Sequence, residues 1–241
     1  MQKTKKSKQD KSEQNAGKLR VPMLDSEAAI SAATHLSSEE KEIAIENLKK
    51  MPPNNAWYLL NHNPKLVAII MKWGMGIMEL CDDVPGIPGK PGQTMAFEVA
   101  RFLDSPWLAS VMARNAAAAG EVGGFLNSQL GVINHPDSPL WTDEQRLALK
   151  FARACLENTM TDELFEQARE LWGEQKVMGY IAMLTWDIVF ALMVNACGMP
   201  PTDAAGAEAV TPEESAIFRK WWTEVLDHTL SFWKSASPFG R

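Results

Sequence analysis

Thiol chemistry has little to work with in this sequence. Its three cysteines, Cys81, Cys155 and Cys197, lie far apart and form no CxxC or ligand-spaced pair, which argues against a disulfide scaffold, a zinc knuckle or a thioredoxin-type dithiol. Tyrosine is scarce, two residues against nine Trp and nine Phe. The histidines, His35, His62, His135 and His228, show neither HxxxH nor HxH spacing, so no metal site is expected. No GxGxxG, GxxxxGK[ST] or GxSxG is present, which leaves nucleotide binding, flavin binding and serine hydrolysis without support. No cofactor is expected. A run of about 18 apolar residues, the minimum for a membrane span, is also lacking. The richest stretch, 177–199, is interrupted by Gly179, Thr185, Asp187 and Asn195 and reads as a buried core helix. No alternating strand pattern and no internal repeat is visible, so the expected class is all-α.

What is present is the composition of an ordinary globular chain: 241 residues, 46% hydrophobic and 22% charged, long enough for one large core. The net charge of −6 hides an asymmetry. Residues 1–20 hold seven Lys/Arg against Asp10 and Glu13, a surplus of five positive charges, so the rest of the chain carries an excess of eleven negative ones. An acidic body disfavours nucleic acid as a partner. The Lys-, Gln- and Ser-rich 1–22 reads as a disordered basic tail with no apolar core of a secretory signal, and a cytoplasmic location is the expectation.

Helix punctuation is frequent after the tail. Ser26 caps a short helix to 34, and Ser37-Ser38-Glu39-Glu40 opens another that Met51-Pro52-Pro53 ends. Pro64 suits the first turn of a long helix with Leu66, Ile69, Ile70, Trp73 and Ile77 on one side. The segment 82–93, with three Pro and three Gly, predicts an irregular loop. Short helices follow over 94–103 and from Ser105-Pro106. The run 116–119 is all alanine, and Gly120, Gly123 and Gly124 then sit in an otherwise helical pattern at about 1 kcal/mol each relative to Ala. Crowding against backbone or a ligand would justify that cost. Thr142 caps a helix to 156 and Thr161 one to 171, which Gly173 stops. A long helix over 174–196 ends at Cys197-Gly198-Met199-Pro200. A linker rich in Ala, Thr and Pro leads to an amphipathic helix over 212–233.

Five segments, in order, resemble the carboxymuconolactone decarboxylase and alkylhydroperoxidase D-like superfamily. Asn61-His62-Asn63-Pro64-Lys65-Leu66 is similar to the entry helix of its decarboxylase-like members. Met112-Ala113-Arg114 with Gly120-Glu121-Val122-Gly123-Gly124-Phe125 resembles their active-site helix. Thr142-Asp143-Glu144-Gln145-Arg146, Thr161-Asp162-Glu163-Leu164 and Asn195-Ala196-Cys197-Gly198-Met199-Pro200 match three later helices. The resemblance spans about 50–201 and implies a helical bundle over 23–201, a linker and extra C-terminal helix over 202–241, and a homo-oligomer. It also implies cofactor-free lyase chemistry on a small carboxylated, lactone or aromatic molecule, with no nucleic-acid or membrane partner. The peroxidase branch's CxxC and histidine are missing. The decarboxylase branch's first Glu falls at Pro106, and Phe125 stands for its His; only Glu121 remains.

Each candidate site residue has a functional and a plain reading. Glu121, flanked by Ala and Gly, is either a proton carrier with a burial-raised pKa or a helix glutamate paired with Arg114. Asp187 in an apolar helix needs a partner or a catalytic task. His62 is a capping residue or a general base. As catalytic residues the sequence therefore offers Glu121, His62 and Asp187, and as substrate-binding residues Trp107, Gly124, Phe125, His135 and Trp186. His135 otherwise belongs to an ordinary loop. Trp73, Trp107, Trp186 and Met183 either line an apolar pocket or pack the core. The competing function is a catalytically degenerate family member that binds a hydrophobic ligand or partner.

Overall fold

Caps written into the sequence start most of the helices. In the computed structural model, which describes residues 19–50, 55–81, 91–119, 129, 132 and 135–201, nine helices and no strand are found among the described residues. They are α1 (Glu27–Ala32), α2 (Ser38–Lys50), α3 (Asn55–Leu60), α4 (Pro64–Leu80), α5 (Pro91–Phe102), α6 (Pro106–Ala119), α7 (Asp143–Glu157), α8 (Asp162–Trp172) and α9 (Glu174–Cys197). The protein is all-α.

Ser26 accepts the Ala29 N–H at 3.2 Å. Ser37 and Glu40 exchange side-chain-to-backbone bonds at 3.3 and 2.9 Å, the reciprocal pattern of a capping box. Thr142 and Gln145 do the same at 3.1 Å each, and Thr161 accepts from Leu164 N–H. Gly198 adopts the left-handed conformation, φ +70°, that closes α9. The helix expected over 94–103 starts earlier, at Pro91. A proline needs no N–H partner in a first turn and its φ is already helical, so 91–93, expected as loop, are helix.

α5 lies at the centre. It packs against α7, α9 and α6, and every residue from Pro91 to Ala100 is buried. α9 crosses it and also contacts α4, α6, α7 and α8, while α2 and α3 rest on α4. By length and composition α9 is apolar enough to cross a membrane, but half of its most apolar window is buried inside the bundle.

Two expectations change on contact with the fold. On α4 the buried side is Val67, Ile70, Gly74, Ile77 and Met78, whereas Ile69 and Trp73 are exposed. The helix is apolar around most of its circumference, so spacing alone could not select the face. Residues 19–22, assigned to the tail, lie against the bundle. Arg20 donates to the Ala196 and Asn195 carbonyls at 2.7 and 3.3 Å, where a cation meets the last carbonyls and negative end of α9. Residues 1–18 and 202–241, with the expected disorder and the expected last helix, lie outside the described residues.

A candidate polar cleft at Arg101, His135 and Arg153

A helix buried all round must satisfy any charge it carries, and α5 carries Glu98, 2% exposed. Its carboxylate meets two guanidiniums. Arg101, one turn on, contacts Oε2, and Arg153 of α7 brings Nη2 to 3.5 Å from Oε1. Burial, then the adjacent Arg153 charge, pulls the Arg101 guanidinium below its usual value, while Glu157 and Asp137 oppose the shift. Arg101 stays cationic at neutral pH all the same. Arg153 Nε and Nη2 are buried and donate no hydrogen bond among the described residues; Nη2 is held by its ion pair with Glu98.

Arg101 and Arg153 line a cleft of about 460 Å³ together with His135, Pro136, Asp137 and Ser138. The loop carrying His135 is held at several points. His135 N–H donates to Val132 O at 2.8 Å, and the His135 carbonyl accepts from Ser138 N–H and the Trp141 indole, both at 3.0 Å. Gln129, fully buried, donates to Leu140 O at 2.9 Å and to Gln145 Oε1 at 2.7 Å. The loop is thereby tied to the capping box that opens α7. Exposed His135 is thus carried on a tied backbone and lines one cleft with two arginines and Asp137, a set of groups that can bind a charged molecule and transfer a proton.

His62 lines a different cavity, about 630 Å³, formed with residues 21–24, Ala29, Ala32, Ala33, Thr34 and His35. Its Nε2 lies 2.7 Å from the Pro22 carbonyl and its Nδ1 3.0 Å from His35 Nε2. A carbonyl only accepts, so Nε2 carries the hydrogen, and a neutral His62 receives one from His35 at Nδ1. Both ring nitrogens are engaged in holding the N-terminal segment to the α3–α4 corner.

Trp186 belongs to an aromatic cluster with Trp57, Trp73 and Phe190, ring centroids 6.4, 6.1 and 4.8 Å away. Gly74 makes room for it, since a Cβ there would sit 2.1 Å from the indole. Trp107 and Met183 are core residues, 3% and 1% exposed, and Asp187 is 7% exposed on the inner side of α9. None of these four lines either cavity. Glu121, Gly124 and Phe125 lie outside the described residues. The structure thus does not bring His62, Asp187 and His135 to one cavity. Glu98, Arg101 and Arg153 were missed by sequence reasoning, although Glu98 sits in Met95-Ala96-Phe97-Glu98-Val99-Ala100, the same kind of apolar setting that singled out Asp187. None of the three cysteines is in a disulfide, and burial pushes the Cys155 thiol above its usual value, which disfavours the thiolate.

Compared with known proteins, the chain matches no family model, no curated sequence and no solved structure.

Proposed function

We propose that the protein is a cytoplasmic, homo-oligomeric and cofactor-free lyase of the carboxymuconolactone decarboxylase-like type, acting on a small carboxylated or lactone molecule in the cleft at Arg101, His135 and Arg153. The observation that supports it is the convergence of two guanidiniums and one imidazole around a 460 Å³ space above a buried carboxylate. When a carbon–carbon bond to a departing carboxylate breaks, its electron pair passes to the substrate, and negative charge grows on an oxygen conjugated with that carbon. Guanidiniums aimed at such an oxygen favour the transition state over the ground state. His135 delivers the proton that quenches the carbanion. Glu121 remains the second candidate proton carrier.

The test is turnover of a panel of carboxylated lactones and β-keto acids in D₂O, followed by proton NMR. The expected result is product deuterated at the carbon that lost its substituent. Replacing His135 by Gln should lower the rate about 10²–10⁴-fold. A second reading, a binding protein without catalysis, is favoured by one observation: the apolar cavity beside His62 is separate from the polar cleft. Saturable binding of an apolar probe there, with no turnover of any panel member, would decide for that reading.

A further inference from the structure

Residues 19–24 run from the end of α9 to the α3–α4 corner as a strap with no helix of its own. At one end the Arg20 N–H donates to the Cys197 carbonyl at 2.8 Å, and its guanidinium to the Ala196 carbonyl. At the other, Leu24 is buried, donates its N–H to Tyr58 O at 3.1 Å and accepts from Asn61 Nδ2 at 3.3 Å. Between these ends His62 Nε2 donates to the Pro22 carbonyl at 2.7 Å. His62 is itself set by His35, whose Nε2 lies 3.0 Å from His62 Nδ1, with the two rings 17° from parallel. We propose that His35 and His62 form a proton-operated latch, which holds the strap at neutral pH and releases it when both imidazoles are charged.

The arrangement tolerates one added proton and not two. With Nε2–H committed to Pro22, His62 accepts at Nδ1 and His35 donates from Nε2. A proton added at His35 Nδ1 leaves both bonds intact, because a charged His35 donates the same hydrogen. A second proton sets His62 Nδ1–H against His35 Nε2–H, two donors and two like charges across 3.0 Å. The released pair therefore binds one more proton than the held pair, so the hold is complete at neutral pH and weakens as pH falls. Glu40 of α2 faces His35, and its carboxyl, held below 4.5 first by the Ser37 N–H, stays ionised above that value. Lys65 of α4 also acts on Glu40 and pairs with Glu39 at 3.7 Å. Glu27 of α1 pairs with Lys49 at 3.1 Å, and Lys41 donates to Ser31 O. Tyr58 of α3, pushed above its ordinary value by burial and then by Asp25, stays neutral. Residues 21–24 are also one wall of the 630 Å³ cavity, so release of the strap opens that space. The latch is independent of any chemistry in the cleft at Arg101, His135 and Arg153.

The Leu24 amide reports on the strap. Its hydrogen-exchange protection factor, read by NMR on the full chain, should fall about tenfold between about pH 7.5 and pH 5, the range in which imidazoles charge. The Phe151 amide, in the middle of α7, is the control and should keep its factor. His35→Gln and His62→Gln should each flatten the Leu24 response, since each leaves a lone imidazole that charges with no second one against it. Should a variant fold poorly, the native chain decides: the C–H signals of both imidazoles should complete their shift as Leu24 protection is lost. An unchanged Leu24 factor, a fall in step with Phe151, or an equal fall in both Gln variants would overturn the latch. So would full titration of both imidazoles with the strap still protected.

Discussion

Glu98 is a buried carboxylate that faces two guanidiniums, one from its own helix and one from α7. Glu98→Ala strands both, and breaking a buried pair costs about 3–5 kcal/mol; retained solvent contact of Arg101 and Arg153 puts the loss near the low end. Urea denaturation should show the midpoint falling, and an unchanged midpoint would mean the pair contributes nothing to folding. Gly74 is a second sensitive position. Gly74→Ala forces a Cβ into the Trp186 ring, with an expected loss of about 1–3 kcal/mol, visible in the thermal midpoint and in quenched or shifted Trp emission. At Glu40 the backbone N–H of Ser37, and next its hydroxyl, hold the carboxyl below its ordinary 4.5. A depressed folded value stabilises above the unfolded value, and that contribution is lost as pH falls through the folded one. Ser37→Ala should therefore flatten the fall in thermal midpoint between neutrality and the acid side of pH 4.5.

Helices in this protein begin with chemistry that is local. The α7 capping box joins Thr142 to Gln145, and Gln145 also receives the buried Gln129. Thr142→Ala should cost about 1 kcal/mol as a lost cap. Because the box also anchors the loop of His135, the same variant should weaken turnover or ligand binding at the cleft beyond what stability explains. At the other end of the bundle, Arg20→Ala removes the cation from the α9 C-terminus, worth about 0.3–1 kcal/mol, and should loosen residues 19–22 in hydrogen exchange while leaving the cleft intact.

The whole molecule is organised around α5, buried from Pro91 to Ala100, and α9, buried on one side. The homo-oligomer of the proposed function is tested at this scale. Sedimentation at micromolar concentration should show a dimer or larger species, and truncation after Gly206 should give smaller species or aggregate, since an exposed apolar stripe invites association. A monomeric full chain would remove the oligomer from the proposed function.

The sequence by itself determined the class and most helix limits, because Ser26, Ser37, Thr142, Thr161 and Gly198 act within one turn of their own position and need no distant partner. It also made Glu98 legible in principle, as a carboxylate in an apolar run. Only the tertiary structure decided which face of α4 is buried, since a helix apolar on most sides has no period that selects one. Only packing brings Arg101 of α5, Arg153 of α7 and the loop of His135 to one cleft, while leaving His62 at another corner with both ring nitrogens engaged. Convergence of this kind depends on how α5 and α7 lie against each other, a relation set by side-chain packing across residues distant in the chain, and no local pattern encodes it.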